Sequence, residues 1–228
     1  MPGKPQGAKL KGSQRWLQIA VNRCPSTIDS AIRNTGICLD EPIVWRSPLD
    51  TEDFAEYLDA TFLDRLGVRL EHRGLGSFWP RSGPRWDALA RSGDSVLLIE
   101  AKANIKELDS SPCGATPGSL ARIGKALKET RAFLNVRSDT DWTRCFYQYA
   151  NRLAHLYLLR ELNGCDAFLV FLYFVDDQTT TPVSRSAWQG AVALVEAHLG
   201  LPESEWMSRY VKDVYIDTAD LSHVDWPS

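Results

Sequence analysis

The sequence lacks a long hydrophobic segment. Its longest uninterrupted apolar run, Ala167 to Val175, has about half of the ~20 residues that a membrane-spanning helix needs. The first twelve residues carry lysines but no apolar stretch after them, so they do not match a secretory signal. We therefore expect a cytoplasmic protein with no membrane partner.

The sequence also lacks a cysteine framework. Its 5 cysteines are scattered, and they form neither a CxxC pair nor a Cys–His cluster at zinc spacing. We expect unpaired thiols in a reducing compartment. Walker, GxSxG and HExxH motifs are missing too, which argues against the enzymes that those motifs identify.

The sequence also lacks an excess of positive charge. The net charge is −3, which argues against a protein that coats nucleic acid through bulk charge. The charge is nevertheless uneven, because residues 65–91 contain six arginines and two acids, whereas residues 203–228 contain six acids and two basic residues. Local binding of a polyanion therefore stays compatible with the composition.

Hydrophobic periodicity predicts one domain over residues 13–228, preceded by a flexible tail of residues 1–12. The predicted helices are 13–23, 26–33, 51–66, 119–136, 141–162 and 184–199, and the predicted strands are 68–73, 86–91, 96–103, 167–175 and 211–216. Strand 167–175 has no polar alternation, which is typical of a strand covered on both faces. The fold class is therefore α/β, with a mixed central β-sheet flanked by helices.

Three polar residues on one predicted hairpin indicate a metal-binding or catalytic site. In strand 96–103, Glu100 and Lys102 share a face, and Asp87 on the preceding strand can approach Glu100. Two carboxylates about 4 Å apart repel by about 4 kcal/mol at an effective dielectric near 20, so they either share a proton or hold a cation.

The types of ligand and the nearby lysine indicate which metal ion and which reaction the site suits. Oxygen ligands without a nearby His or Cys favour Mg²⁺ or Mn²⁺ over zinc. Lys102 can bring positive charge to a phosphate or orient a water molecule. These groups are suited to metal-assisted hydrolysis of a phosphodiester.

The series Asp87…Glu100-Ala101-Lys102 resembles the motif of the PD-(D/E)xK, or restriction-endonuclease-like, nuclease superfamily, although Trp86 replaces the proline. The resemblance implies an αβββαβ core at about residues 51–175, with extra N-terminal and C-terminal helices. It also implies that Asp87 and Glu100 hold the metal, with the Ala101 carbonyl as a further ligand. Lys102 would then polarise the attacking water.

The same resemblance implies two further site residues. Members often add an acid from the first helix, for which Glu56 is the better candidate and Glu52 the alternative. Some members place a glutamine on the helix after the motif, and Gln148, followed one turn later by Arg152, resembles it. We expect Gln148, Arg152 and His155 to lie on the outward side of helix 141–162.

The sequence thus predicts a nuclease that uses Mg²⁺ or Mn²⁺ and acts on nucleic acid, which we expect to be DNA. Its predicted nucleic-acid contacts are Arg73, Arg81, Arg85 and Arg152. A homodimer is compatible with the sequence. Two alternatives remain open: a non-catalytic nucleic-acid-binding or structural protein on the same fold, and a phosphoesterase or nucleotide hydrolase with a small substrate.

Overall fold

The computed structural model describes residues 3–226, in which a five-stranded mixed sheet lies between helices. The strands are β1 (Val44–Ser47), β2 (Ala88–Ser92), β3 (Ser95–Lys102), β4 (Ala167–Val175) and β5 (Val211–Asp217). The helices are α1 (Gly12–Asn22), α2 (Pro25–Arg33), α3 (Ala60–Leu66), α4 (Leu75–Phe78), α5 (Pro117–Phe133), α6 (Tyr147–Arg160), α7 (Arg185–Leu199) and α8 (Glu205–Tyr210). Short 3₁₀ turns cover Asp50–Glu52, Ile105–Glu107 and Thr218–Leu221.

The strands lie in the sheet in chain order. Strand β2 is antiparallel to β1 and to β3, whereas β3, β4 and β5 are mutually parallel. A tight turn at Gly93 and Asp94 joins β2 to β3, and Gly93 takes the positive φ of +57° that this turn requires. Helices α5 and α6 make the crossover from β3 to β4, as parallel pairing requires.

Strand β4 divides the hydrophobic core into two layers. Leu169, Phe171 and Tyr173 pack on the side of α5, α6 and α7, while Leu172 and Phe174 pack on the side of α1 and α2. Every residue of β4 is buried, which confirms the predicted strand covered on both faces. None of the helices in this described range is long and apolar enough to cross a bilayer.

The predicted helix 51–66 is wrong in its first half. Asp53 and Phe54 take positive φ values of 51° and 54°, and helix α3 begins only at Ala60. Between them, Glu56 exchanges two backbone hydrogen bonds with Lys4. The apolar spacing that suggested a helix is satisfied without one, because Phe54 and Phe62 are both buried.

The predicted strand 68–73 is also wrong, and β1 takes the edge position beside β2 instead. The backbone N–H groups of His72 and Arg73 both donate to the Asn163 side chain at 3.0 Å, so they form a bend. The predicted helix 141–162 begins later, at Tyr147, because Phe146 takes a left-handed conformation.

The predicted flexible tail is packed where the structure describes it. Lys4 pairs with Glu56, and the Trp226 Nε1 donates to the Lys9 carbonyl at 2.9 Å. Residues 3–11 therefore lie along the domain instead of extending freely. Met1, Pro2, Pro227 and Ser228 lie outside the described residues.

Candidate active site

The β2–β3 hairpin brings Asp87, Glu100 and Lys102 together. Ala88 pairs with Ile99, so one step further along the same register Asp87 lies opposite Glu100. The Ala101 N–H donates to Asp87 Oδ2 at 2.8 Å, which fixes the carboxylate at this end of the hairpin. Alternation along β3 places Glu100 and Lys102 on one face, as the sequence predicts, and this face lies towards α6.

The Glu100 carboxylate lies between two cations. Lys102 Nζ is 2.5 Å from Oε1, and Arg152 Nε is 2.6 Å from Oε2. Burial by itself raises the pKa of Glu100, but Arg152 and Lys102 outweigh burial and hold that pKa below its usual value. Glu100 is therefore a buried carboxylate that keeps its charge.

The same surroundings shift the pKa values of Asp87 and Lys102. Burial, reinforced by the Glu100 charge, raises the pKa of Asp87 to about 7. Burial opposes the charge of Lys102, but Glu100 and Asp87 raise the Lys102 pKa above its ordinary value. Lys102 Nζ also donates to Gln148 Oε1 at 3.1 Å. Lys102 is thus an ammonium ion held between a carboxylate and an amide.

Arg152 does not lie where we predicted. Its side chain is only 4% exposed, and besides Glu100 it donates to the Arg85 carbonyl at 2.8 Å. Its guanidinium lies over the Trp86 ring at 4.7 Å from the centroid. These partners hold the guanidinium inside the domain, on the wall of the cavity described below, and the contact of Arg152 with nucleic acid stays a prediction.

His155 is likewise buried, not outward-facing. It is 1% exposed and lies against the rings of Phe62, Phe78, Trp79 and Trp86. Burial lowers the pKa of His155 to about 3, so the imidazole is neutral at ordinary pH. The polar side of α6 is therefore an inner surface of the domain.

Glu56, the first of the two alternative acids, lies near the site on an extended segment and not on a helix. Gln14 Nε2 donates to one of its oxygens at 2.7 Å, and Arg85 Nε is 3.5 Å from the other. Glu52, the second alternative, pairs instead with Arg65 at 2.6 Å. Of the two acids, the structure brings only Glu56 to the cavity described next.

These groups line a cavity of about 870 Å³. Its walls include residues 11–14 at the start of α1, residues 104–107 after β3, and the 179–181 loop. Sequence reasoning missed all three segments, since no local pattern shows that they pack beside the motif. Gln14, which holds Glu56, is the clearest residue of this kind.

The arginines that were predicted to contact nucleic acid lie at different places in the structure. Arg85 lines this cavity, and Arg81 lines a neighbouring apolar cavity that shares Glu56 with it. Arg73 lies elsewhere and pairs with Glu129 at 2.9 Å. Arg85 is therefore the predicted nucleic-acid contact that the structure places at the motif with part of its side chain exposed.

The donor set determines which ion this site suits. Within residues 3–226, no three His, Cys, Asp or Glu side chains come close enough together to hold a metal ion, so Glu56 does not complete a cluster. The carboxylates of Asp87 and Glu100 line the cavity beside Ala101, and both oxygens of Glu100 already accept hydrogen bonds, from Lys102 and Arg152. Mg²⁺ is commonly held by one or two carboxylates, with water and substrate phosphate completing its shell. The residues present fit Mg²⁺ or Mn²⁺ on that basis.

Comparisons with known proteins find no match to this chain. This holds for protein-family models, for curated proteins and for solved structures. The interpretation of the site accordingly depends on its own geometry.

Proposed function

We propose that this chain is a divalent-metal-dependent phosphodiester hydrolase, a nuclease with DNA as its expected substrate. The observation that carries the proposal is the convergence of Asp87, Glu100 and Lys102 on one wall of the 870 Å³ cavity. Two acids and a lysine in that relation would supply a metal site next to a positive charge, an arrangement suited to metal-assisted phosphodiester hydrolysis.

The order of elements supports the proposal. The resemblance to restriction-endonuclease-like nucleases implies helix, three strands, helix and strand. Helices α1 and α2, strands β1 to β3, helices α5 and α6, and strand β4 follow that order. Strand β1 takes the role expected for residues 68–73, and α3 and α4 lie between β1 and β2 as additions.

Each residue would have a distinct role. Asp87, Glu100 and the Ala101 carbonyl would hold Mg²⁺ or Mn²⁺, which when bound supplies Lewis-acid charge to the phosphate. The Lys102 ammonium adds positive charge beside the reacting phosphate, and Gln148 keeps Lys102 in place. Arg152 is a positioning residue that holds the Glu100 carboxylate.

The charge of the cavity suits a phosphate substrate. Five basic and four acidic side chains line it, so one bound divalent ion makes it clearly positive. Lys11, Arg85 and Lys106 lie on its walls, where they can contact phosphates on either side of the scissile bond. This lining favours a nucleic-acid strand over an uncharged small substrate.

One observation favours the non-catalytic alternative. Both oxygens of Glu100 are already engaged by Lys102 and Arg152, as in a structural ion-pair network. The two functions differ in metal dependence. Mg²⁺ at about 100 times its dissociation constant should raise the free energy of unfolding by about 2.7 kcal/mol, whereas the alternative predicts no change.

The deciding experiment measures cleavage of plasmid and single-stranded DNA with Mg²⁺ or Mn²⁺. We expect Asp87→Asn to lose activity by roughly a hundredfold, because it removes a metal carboxylate. Asp94→Asn is the matched control, since Asp94 lies on the same hairpin with its side chain fully exposed. Equal activity of the two variants would overturn the assignment of the site.

A further inference from the structure

A second cavity, of about 590 Å³, adjoins the candidate active site and shares Glu56 with it. Gln14 and Arg85, which hold the Glu56 carboxylate at 2.7 Å and 3.5 Å, line the first cavity only. The two cavities therefore meet at the Glu56 side chain. The roles proposed above do not use the second one, which we call the apolar cavity.

The walls of the apolar cavity are mainly hydrophobic. Trp79 lines it although the side chain is only 2% exposed, so the indole belongs to the deep part of the wall. The other apolar side chains on it are Leu58, Ala60, Leu75 and Pro80. Cavities of about 300–1,000 Å³ with apolar and aromatic walls are the usual form of a small-ligand pocket. The apolar cavity thus suits a flat group with hydrophobic faces.

The loop that forms one of these walls is held in place. The backbone N–H groups of Ser82 and Gly83 donate to the two carboxylate oxygens of Asp59, at 3.0 Å and 2.8 Å. Gly83 also lies against Trp79, where an added Cβ would come within 3.2 Å of the ring. The cavity is therefore formed before any ligand enters, which lowers the cost of ordering on binding.

Two cations that line the apolar cavity have no acidic partner. Lys4 and Arg81 are exposed, and neither forms an ion pair with an acid of residues 3–226. The two acids on the same cavity, Glu56 and Asp59, already accept hydrogen bonds from within the chain. The uncompensated charge here is positive, and it complements the phosphates that flank a nucleobase.

We infer that the apolar cavity binds one unpaired nucleobase of the DNA strand whose phosphate lies at the candidate active site, an inference that rests on the proposed function. A base has hydrophobic faces that stack on aromatic rings, and its neighbouring phosphates are negative. A base inside a duplex could enter only by leaving the stack, which has an energetic cost that an unpaired base avoids. The substrate class would therefore be DNA with unpaired nucleotides next to the scissile bond.

The test compares two single strands of equal charge, a thymidine oligomer of about twelve nucleotides and an abasic DNA backbone of the same length. Fluorescence anisotropy measures both dissociation constants in Mg²⁺, with the full chain carrying Asp87→Asn so that the DNA stays uncut. We expect the thymidine oligomer to bind roughly tenfold more tightly, because stacking of one base on an aromatic wall contributes about that factor.

Two variants fill the apolar cavity from different walls. Gly76→Leu and Ala60→Leu enlarge exposed residues that line it, and an added Cβ at Gly76 meets nothing within 4 Å, so we expect both chains to fold. Each should abolish the preference for the thymidine oligomer without weakening binding of the abasic strand. Gly118→Leu is the matched control, because Gly118 is an exposed helical glycine with open space at its Cβ and lies outside both cavities.

The outcomes separate this inference from the proposed function. Absence of binding, equal affinity for the two strands, or a preference that survives both cavity-filling variants would overturn the inference. If the preference is present but wild type leaves DNA uncut in Mg²⁺ and Mn²⁺, the nuclease assignment fails and the base-binding cavity stands. Cleavage by wild type without a base preference refutes the base-binding cavity alone.

Discussion

The ion pair between Arg152 and Glu100 gives the sharpest prediction about this fold. The side chains of Arg152 and Glu100 are 4% and 3% exposed, and the guanidinium donates to Oε2 from Nε at 2.6 Å. Arg152→Met keeps much of the side-chain volume but leaves Glu100 with Lys102 as its one cationic neighbour. Breaking a buried pair by removing one partner costs about 3–5 kcal/mol.

Two further contacts refine that magnitude. Lys102 still compensates Glu100, which moves the expected loss towards about 3 kcal/mol. Loss of the guanidinium over Trp86 acts in the other direction, by about 2 kcal/mol at a desolvated site. We therefore expect Arg152→Met to lower the free energy of unfolding by about 3–5 kcal/mol.

Urea unfolding of wild type, both single variants and the double variant Arg152→Met/Glu100→Gln measures this loss. The double variant should be more stable than Arg152→Met alone, because a neutral amide needs no cation. Arg144→Met is the control, since the Arg144–Asp141 pair is exposed and should contribute at most about 1 kcal/mol. A loss for Arg152→Met no larger than for Arg144→Met would refute the reasoning.

Two more predictions concern α6. His155 has a pKa of about 3 in the folded chain and an ordinary value of 6.5, so the unfolded chain takes up the proton first as pH falls. The contribution of His155 to stability should therefore fall by about 3 kcal/mol between pH 7 and pH 4, so wild type should lose about that much more stability over this range than His155→Phe does; equal pH dependence of the two chains in urea unfolding would contradict this. Gln148→Ala should lower kcat for DNA cleavage by roughly tenfold with unchanged urea unfolding, because Lys102 loses its amide contact. An unchanged kcat would mean that Gln148 plays no part in positioning Lys102.

The part of the site that can be predicted from the sequence is the part formed by residues close together in the chain. Asp87, Glu100 and Lys102 lie on one short hairpin, where alternation along adjacent strands determines which side chains share a face. The continuous apolar run of β4 likewise depends on burial alone, and its predicted bounds are confirmed. Both features need no knowledge of distant segments.

The errors arise where distant segments decide the structure. Residues 53–57 leave the helical conformation because Glu56 pairs with Lys4, about fifty positions earlier in the chain. Arg152 appeared outward-facing because a charged helix side is usually solvated, but Glu100 provides a buried partner for it. The two acids of the hairpin need a positive charge close by, and Arg152 is the arginine on the polar side of α6 that supplies it.

The two-residue turn between β2 and β3 also constrains how the length of this chain can change. Exposed loops generally accept insertions, and Asp94 is fully exposed. One extra residue at Gly93 or Asp94 preserves the site only if the loop takes it up, as three-residue hairpin loops do, because a register shift of one would turn Asp87 to the opposite face from Glu100. Insertions at this turn should therefore keep the site where the loop simply lengthens and abolish it where the register shifts, although the three motif residues stay intact in the sequence in both cases.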